Sequence, residues 1–206
     1  VMIRYMGAAV ALKLFSLNSI TRSAYRSIGN RVGQKKRRDQ SIDQYIVRGD
    51  LLINLAQKYN ILNDNTSLVE LGTGWIHWFG LYLALHGDGD VKLELYDVWD
   101  NRQLYALKSS FGRLSEAWAK DASIGPVPRE RLASMLAVDS FEALYEKFNA
   151  NYTIDGDGSL AGYPSSAYDG VISFHVMEHI GRSFIENSIN GMYRMLKPGG
   201  YCIHQI

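Results

Sequence analysis

The 206-residue sequence holds a single cysteine, Cys202, and only four prolines. One thiol excludes an internal disulfide framework and fits a reducing compartment. Neither charge sign prevails, with 22 Lys and Arg against 21 Asp and Glu and a net charge of +1. No strong field therefore points to nucleic acid, and the one basic run, Lys35-Lys36-Arg37-Arg38, reads as a solvated loop. Long apolar runs are missing as well. The stretch from Gly7 to Leu17 is interrupted by Lys13, is too short to span a bilayer and lacks the small-residue cleavage pattern of a signal peptide. The expectation is a cytoplasmic protein without stable membrane insertion. The sequence shows no internal repeat and no low-complexity tract. It also has no Gly-Lys-Ser/Thr of a phosphate-binding loop.

What is present, 47% hydrophobic and 21% charged residues, suffices for one well-buried domain. The first 60 residues read as helical. Ile42, Tyr45, Ile46, Leu52, Ile53 and Ala56 share a face, and Gly49 is a weak point in it. Asn60 to Thr66 acts as a loop. Leu68 to Leu71 then reads as a short buried strand and Ile76 to Leu85 as a helix ending at His86-Gly87-Asp88-Gly89. Val91, Leu93 and Leu95 alternate with Lys92, Glu94 and Tyr96, as in a half-covered strand. Asn151 to Ile154 and Gly170 to Phe174 are two further strands. Ser183 and Glu186 form a capping box for a helix through Ile185, Ile189, Met192 and Leu196. Pro198-Gly199-Gly200 stops that helix, and Tyr201 to Ile206 reads as a last strand.

Strands alternating with helices predict an α/β fold, a doubly wound, mostly parallel sheet. The division expected is a helical cap or extension over 1–66, then a ligand-binding domain over 67–206. Residues from about 100 to 150 are long for a plain crossover and predict extra helices, either on the ligand side or as a surface decoration.

In such a sheet, ligands sit at the carboxyl ends of the strands where strand order reverses. The run VELGTGWIHWFG, Val69 to Gly80, places Gly72 and Gly74 in that position. A turn without side chains lets backbone approach a ligand, and the following helix offers free N–H groups. Asp97 ends the second strand, where an acid can bond both ribose hydroxyls. Asp157, in the turn DGDG after the third strand, is placed to reach an adenine amino group. Each aspartate alone is an ordinary turn or cap residue. Together with the glycines, at successive strand ends, they point to a nucleoside. The dinucleotide fingerprint needs glycine where His77 stands, and Trp75, Ile76, His77 and Trp78 crowd the seat of a pyrophosphate. A ligand without phosphates is preferred.

The segments LVELGTGW, YDV, DGDGSLAGYPSSAYDGVISFHVMEHI and MYRMLKPGGYCIHQI, in this order from Leu68 to the C-terminus, resemble class I S-adenosylmethionine-dependent methyltransferases. The resemblance implies a Rossmann-like fold with helices on both faces of the sheet and S-adenosyl-L-methionine as cofactor. It implies that Gly72, Thr73 and Gly74 line the methionine part while Glu70 braces their loop. It places Asp97 at the ribose, Asp157 and Gly158 at the adenine, and His175 in the cleft near the methyl group. Ile76 stands where many members carry a third glycine. The N-terminal part, TRSAYRSIGN to QYIVRG, is loosely similar to bacterial methyltransferases of surface-sugar and other small-molecule precursors. There an N-terminal helix caps the cofactor, which makes Tyr45 and Arg48 candidates for its carboxylate.

The implied reaction is methyl transfer to a small-molecule or glycan-precursor acceptor, with oxygen favoured as the acceptor atom. His175 and His179 are the candidate bases, because imidazole titrates near neutrality. His179 with Glu178 better fits a role in fixing the start of the next helix. A non-catalytic cofactor-binding module and a nicotinamide-dependent dehydrogenase remain the alternatives. Because the chain begins with Val1 and ends within the strand after LKPGG, it reads as a fragment truncated after the fifth strand.

Overall fold

The structure, a computed structural model, describes residues 41–63, 65–87, 91–156 and 158–206. The expected helices before residue 41 and the basic run lie outside the described residues. Residues 41–206 make one compact unit. Five strands, β1 (Ser67–Leu71), β2 (Lys92–Asp97), β3 (Ala150–Ile154), β4 (Tyr168–Phe174) and β5 (Leu196–Gln205), form one parallel sheet in the order β3-β2-β1-β4-β5. This is a Rossmann-like order. Strand order reverses between β1 and β4, so a crevice opens at their carboxyl ends.

The six helices described are α1 (Asp43–Lys58), α2 (Trp78–His86), α3 (Leu104–Trp118), α4 (Pro126–Ala137), α5 (Phe141–Lys147) and α6 (Arg182–Met195). One face of the sheet, carrying Leu68, Leu93 and Ile172, is covered by α1 to α5 in the larger core cluster, centred on Trp78, Tyr82 and Phe111. The other face, carrying Val69, Leu71 and Val171, is covered by Met192 and Met195 of α6 together with Leu160 and Tyr163 of the loop before β4. Helices thus lie on both faces. The expected insertion contains α3, α4 and α5, and the described residues of the long β3-to-β4 connection contain no helix.

Several local expectations change under tertiary contact. β2 is not half-covered: Leu93 to Asp97 are all buried because both sheet faces are packed. Glu94 on the second face is met by the Asn151 side-chain amide at 2.9 Å. Gly49 is no weak point, since a Cβ there would lie 2.8 Å from the Tyr82 ring, so its bareness sets how close α1 comes to α2. The Ser183–Glu186 capping box does not form. α6 starts a residue before Ser183, its N-cap is Gly181, and no side chain caps it. That helix also ends at Met195, ahead of Pro198-Gly199-Gly200. Those three residues lie instead in the irregular start of β5, between the pairs Tyr168–Leu196 and Gly170–Tyr201.

Candidate functional site

β1 ends in the bare loop, and its last turn is built around Glu70. Gly72 and Gly74 adopt φ of +66° and +64°, a left-handed conformation that glycine takes without steric cost. The Gly72 and Thr73 amides donate to the Tyr96 carbonyl at 2.8 and 3.1 Å, which ties the loop to β2. Glu70, 3% exposed, points under the loop. Its Oε2 accepts the Thr73 hydroxyl at 3.1 Å and the Gly80 amide at 2.9 Å. Burial pushes its carboxyl up to about 7 against the lowering effect of these donors and of the Phe79 amide.

The Phe79 and Gly80 amides in the first turn of α2 are therefore held by a carboxyl group, where the sequence led us to expect N–H groups free for a ligand. Glu70 braces the loop from below. The close helix–strand approach that a third glycine would permit is made by Gly80, whose Cβ would lie 2.7 Å from Glu70 Oε2 and 3.0 Å from Leu95. The dinucleotide spacing puts that glycine at 77 and the methyltransferase resemblance at 76, and the sequence starts α2 at Ile76. The helix begins two residues later, at Trp78.

Asp97 closes the next side of the site. It is 6% exposed at the end of β2, and its Oδ2 accepts the Gly74 amide at 3.0 Å. Its Oδ1 accepts the Val98 amide at 2.8 Å. Burial raises its carboxyl above the ordinary aspartate value, opposed by these amides, by the Trp99 amide and by the Asn101 side chain. The turn after β3 reaches the same place: the Asp155 amide donates to the Asp97 carbonyl at 3.1 Å. Gly158, at φ +68°, is open toward Val98, with 3.9 Å from its would-be Cβ to Val98 Cγ1. Asp157 lies outside the described residues.

Beyond β4 the chain turns sharply at His175, whose φ is +53°. The neighbouring Val176 packs on the glycine loop, since a Cβ on Gly72 would meet Val176 Cγ2 at 2.3 Å. The ends of β1 and β4 thus touch at the point where strand order reverses. His175 Nδ1 lies 3.1 Å from Glu178 Oε1, and its side chain is 45% exposed. Glu178 therefore pairs with His175. His179 is exposed in a short 3-10 turn, Met177–His179. Tyr45 of α1 stacks on Phe79 at 6.1 Å, and Phe79 stacks on Phe174 at 3.5 Å, so α1 does border this end of the site. Arg48 lies on α1, half-buried.

Residues 112–204 match the methyltransferase domain family. The matched span runs from within α3 to β5 and includes His175. The glycine loop precedes it. A comparison with curated proteins finds no match.

Solved structures similar to the chain include a SAM-dependent methyltransferase from Aquifex aeolicus, at 12% identity and TM-score 0.42, covering 73% of this chain and 61% of that one. A Pyrococcus horikoshii OT3 protein has 18% identity and TM-score 0.47, covering 79% and 54%. A Haemonchus contortus phosphoethanolamine N-methyltransferase 2, bound to phosphomonomethylethanolamine and S-adenosylhomocysteine, has 14% identity and TM-score 0.45, covering 75% and 27%. The chain therefore spans at most 61% of these three.

Within the matched span, α5 contributes a residue to the site that carries no signal in the sequence. Tyr145 of α5 places its hydroxyl 2.9 Å from His77 Nε2, and His77 Nδ1 lies 2.8 Å from Thr73 Oγ1. Burial holds the His77 imidazole down at about 3, so it is neutral. Arg102 lies 4.8 Å from the centroid of the neighbouring Tyr152 ring and bonds Asp100 at 2.8 Å. In the sequence His77 registers only as a failed glycine position. The sole local signal for its role is the four-residue spacing from Thr73, while Tyr145 carries none.

Proposed function

We propose that the chain is the S-adenosylmethionine-binding part of a methyltransferase and that the cofactor lies across the glycine loop at the β1–β4 crevice. The observation that carries this is the acidic floor of the site. Glu70 fills the helix N-terminal seat that a pyrophosphate takes in dinucleotide folds, and Asp97 stands beside it. Glu70 takes amides that a phosphate would need, and Asp97 suits a cofactor that brings hydroxyl donors and no phosphate. The loop also fits such a molecule: a Cβ on Gly74 would meet nothing nearer than the Gly72 carbonyl at 3.9 Å, so the backbone faces open space there. Asp97 would hold the ribose hydroxyls, with the Asn101 side chain as the donor they replace. Gly158 and Asp157 would border the adenine.

When bound, S-adenosylmethionine supplies an activated methyl group on a positive leaving group. The chain's part is to align an acceptor with it and exclude water. His175 is placed to take the acceptor's proton, because Glu178 at Nδ1 orients the ring and leaves Nε2 as the accepting nitrogen. This arrangement favours an oxygen acceptor on a small molecule or sugar precursor. His179 contributes at most to the shape of the segment after β4.

Calorimetry with S-adenosylmethionine, S-adenosylhomocysteine and NAD tests the cofactor. Micromolar binding of the first two without NAD binding is expected, and tight binding of NAD alone would overturn the reading. Turnover against a panel of hydroxyl, amine and carbon acceptors then separates an enzyme from an inert binding module.

A further inference from the structure

Three hydrogen bonds in series join the inserted helix α5 to the glycine loop. Tyr145 OH to His77 Nε2 is 2.9 Å, His77 Nδ1 to Thr73 Oγ1 is 2.8 Å, and Thr73 Oγ1 to Glu70 Oε2 is 3.1 Å. The proton positions along this series follow from counting donors. Glu70 Oε2 already accepts the Gly80 amide, so a carboxyl proton sits on the other oxygen and the one hydroxyl hydrogen of Thr73 goes to Oε2. Nδ1 of His77 must then donate to the threonine oxygen. In a neutral ring that leaves Nε2 without a hydrogen, so it accepts the Tyr145 hydroxyl. One tautomer therefore satisfies all four groups, and a buried network that is fully satisfied specifies a single arrangement.

The backbone gives this series a task. His77 is fully buried and sits at φ +48°, a conformation that persists in an L residue only when its surroundings hold it there. It joins the glycine loop to α2, so its ring fixes where the loop ends and the helix begins. We propose that Tyr145 is a positioning residue: through the His77 imidazole it sets the conformation of the glycine loop, and thereby the alignment of Thr73 and Gly74 toward the ligand. The insertion between β2 and β3 is then not a decoration but the clamp of the loop. The charged neighbours are Asp97 toward Glu70, and Arg102 and Asp100 toward His77. The consequence for the cofactor rests on the function proposed above, while the clamp itself does not.

The test is Tyr145→Phe, which keeps the ring in its contacts with Phe141 and Tyr152 at 5.8 and 6.1 Å and removes only the hydroxyl. Nitrogen-15 spectra of the ligand-free protein report the His77 tautomer, with His77→Gln identifying the signal. The wild type is expected to show a single neutral Nδ1–H form. In Tyr145→Phe the Nε2 signal should move as its donor is lost, and the Kd for S-adenosylmethionine should rise about 5- to 10-fold. An unchanged His77 signal, or an Nε2–H tautomer in the wild type, would overturn the clamp. So would an unchanged Kd in Tyr145→Phe when the wild type binds the cofactor. A wild type that binds no S-adenosylmethionine would instead overturn the function, and the ligand-free spectra would still decide the clamp.

Discussion

Glu70 Oε2 accepts the Gly80 amide at 2.9 Å, and a Cβ on Gly80 would stand 2.7 Å from that same oxygen. The acid on the central strand and the bare position in the helix above it form one fitted contact, and the glycine loop is strung between them.

Gly80→Ala is therefore expected to destabilise the protein by about 1–3 kcal/mol, the usual cost of forcing a methyl group into a packed site. α2 cannot retreat freely, because Trp78, Leu81, Tyr82 and Leu83 are fixed in the core. Denaturant unfolding measures the loss, and a variant as stable as the wild type would show that α2 is not held at this distance.

Glu70 should make the protein less stable as pH rises. Its folded value is about 7 against an ordinary 4.5, so the folded state keeps a proton that the unfolded chain has released. Its contribution is complete below pH 4.5 and is lost as pH rises through 7, by about 3 kcal/mol in all. Unfolding free energies of wild type and Glu70→Gln across pH 4–8 isolate this slope. Parallel curves would mean that Glu70 is ionised at its ordinary value.

His77 should act in the opposite sense. Its imidazole is lowered from 6.5 to about 3, so the unfolded chain takes up a proton first as pH falls. Stability from this group is present above pH 6.5 and is lost toward acid at up to about 1.4 kcal/mol per pH unit. Between pH 4.5 and 6.5 the two groups oppose one another. His77→Gln should steepen the fall in stability with rising pH there, and Glu70→Gln should steepen the fall toward acid. A His77→Gln profile parallel to wild type would refute the buried neutral imidazole.

Asp97→Asn should weaken S-adenosylmethionine binding by about 1–3 kcal/mol, the size of hydrogen bonds to a charged acceptor. Because Asp97 also holds the Gly74 and Val98 amides, melting is followed in parallel so that affinity is read on folded protein. Unchanged affinity would move the ribose contact away from this carboxylate, with Asp100 the next acid along the chain.

Much of this fold is legible along the chain. The strands at Leu68, Val91, Asn151 and Gly170 announce themselves through short apolar runs between polar breaks, and Gly72 and Gly74 mark a turn that needs positive φ. The covering of both sheet faces is less visible. Glu94 and Lys92 read as the solvent side of β2, yet Glu94 is buried with the Asn151 amide on its carboxyl and only Lys92 is exposed. The capping box at Ser183 is a valid local pattern that lost to a helix start at Gly181.

The sequence by itself determined the parallel α/β class, the position of the bare loop and the acid at the end of β2, because each rests on local periodicity or a backbone conformation. Only the tertiary structure decided what the loop rests on. His77 and Tyr145 are 68 residues apart, and no local pattern links them. The raised carboxyl of Glu70 likewise arises from burial beneath α2, and the start of α2 is set by a histidine ring held from a helix that forms much later in the chain. Such contacts depend on which surfaces the packed core brings together, and a residue's neighbours in sequence carry no record of them.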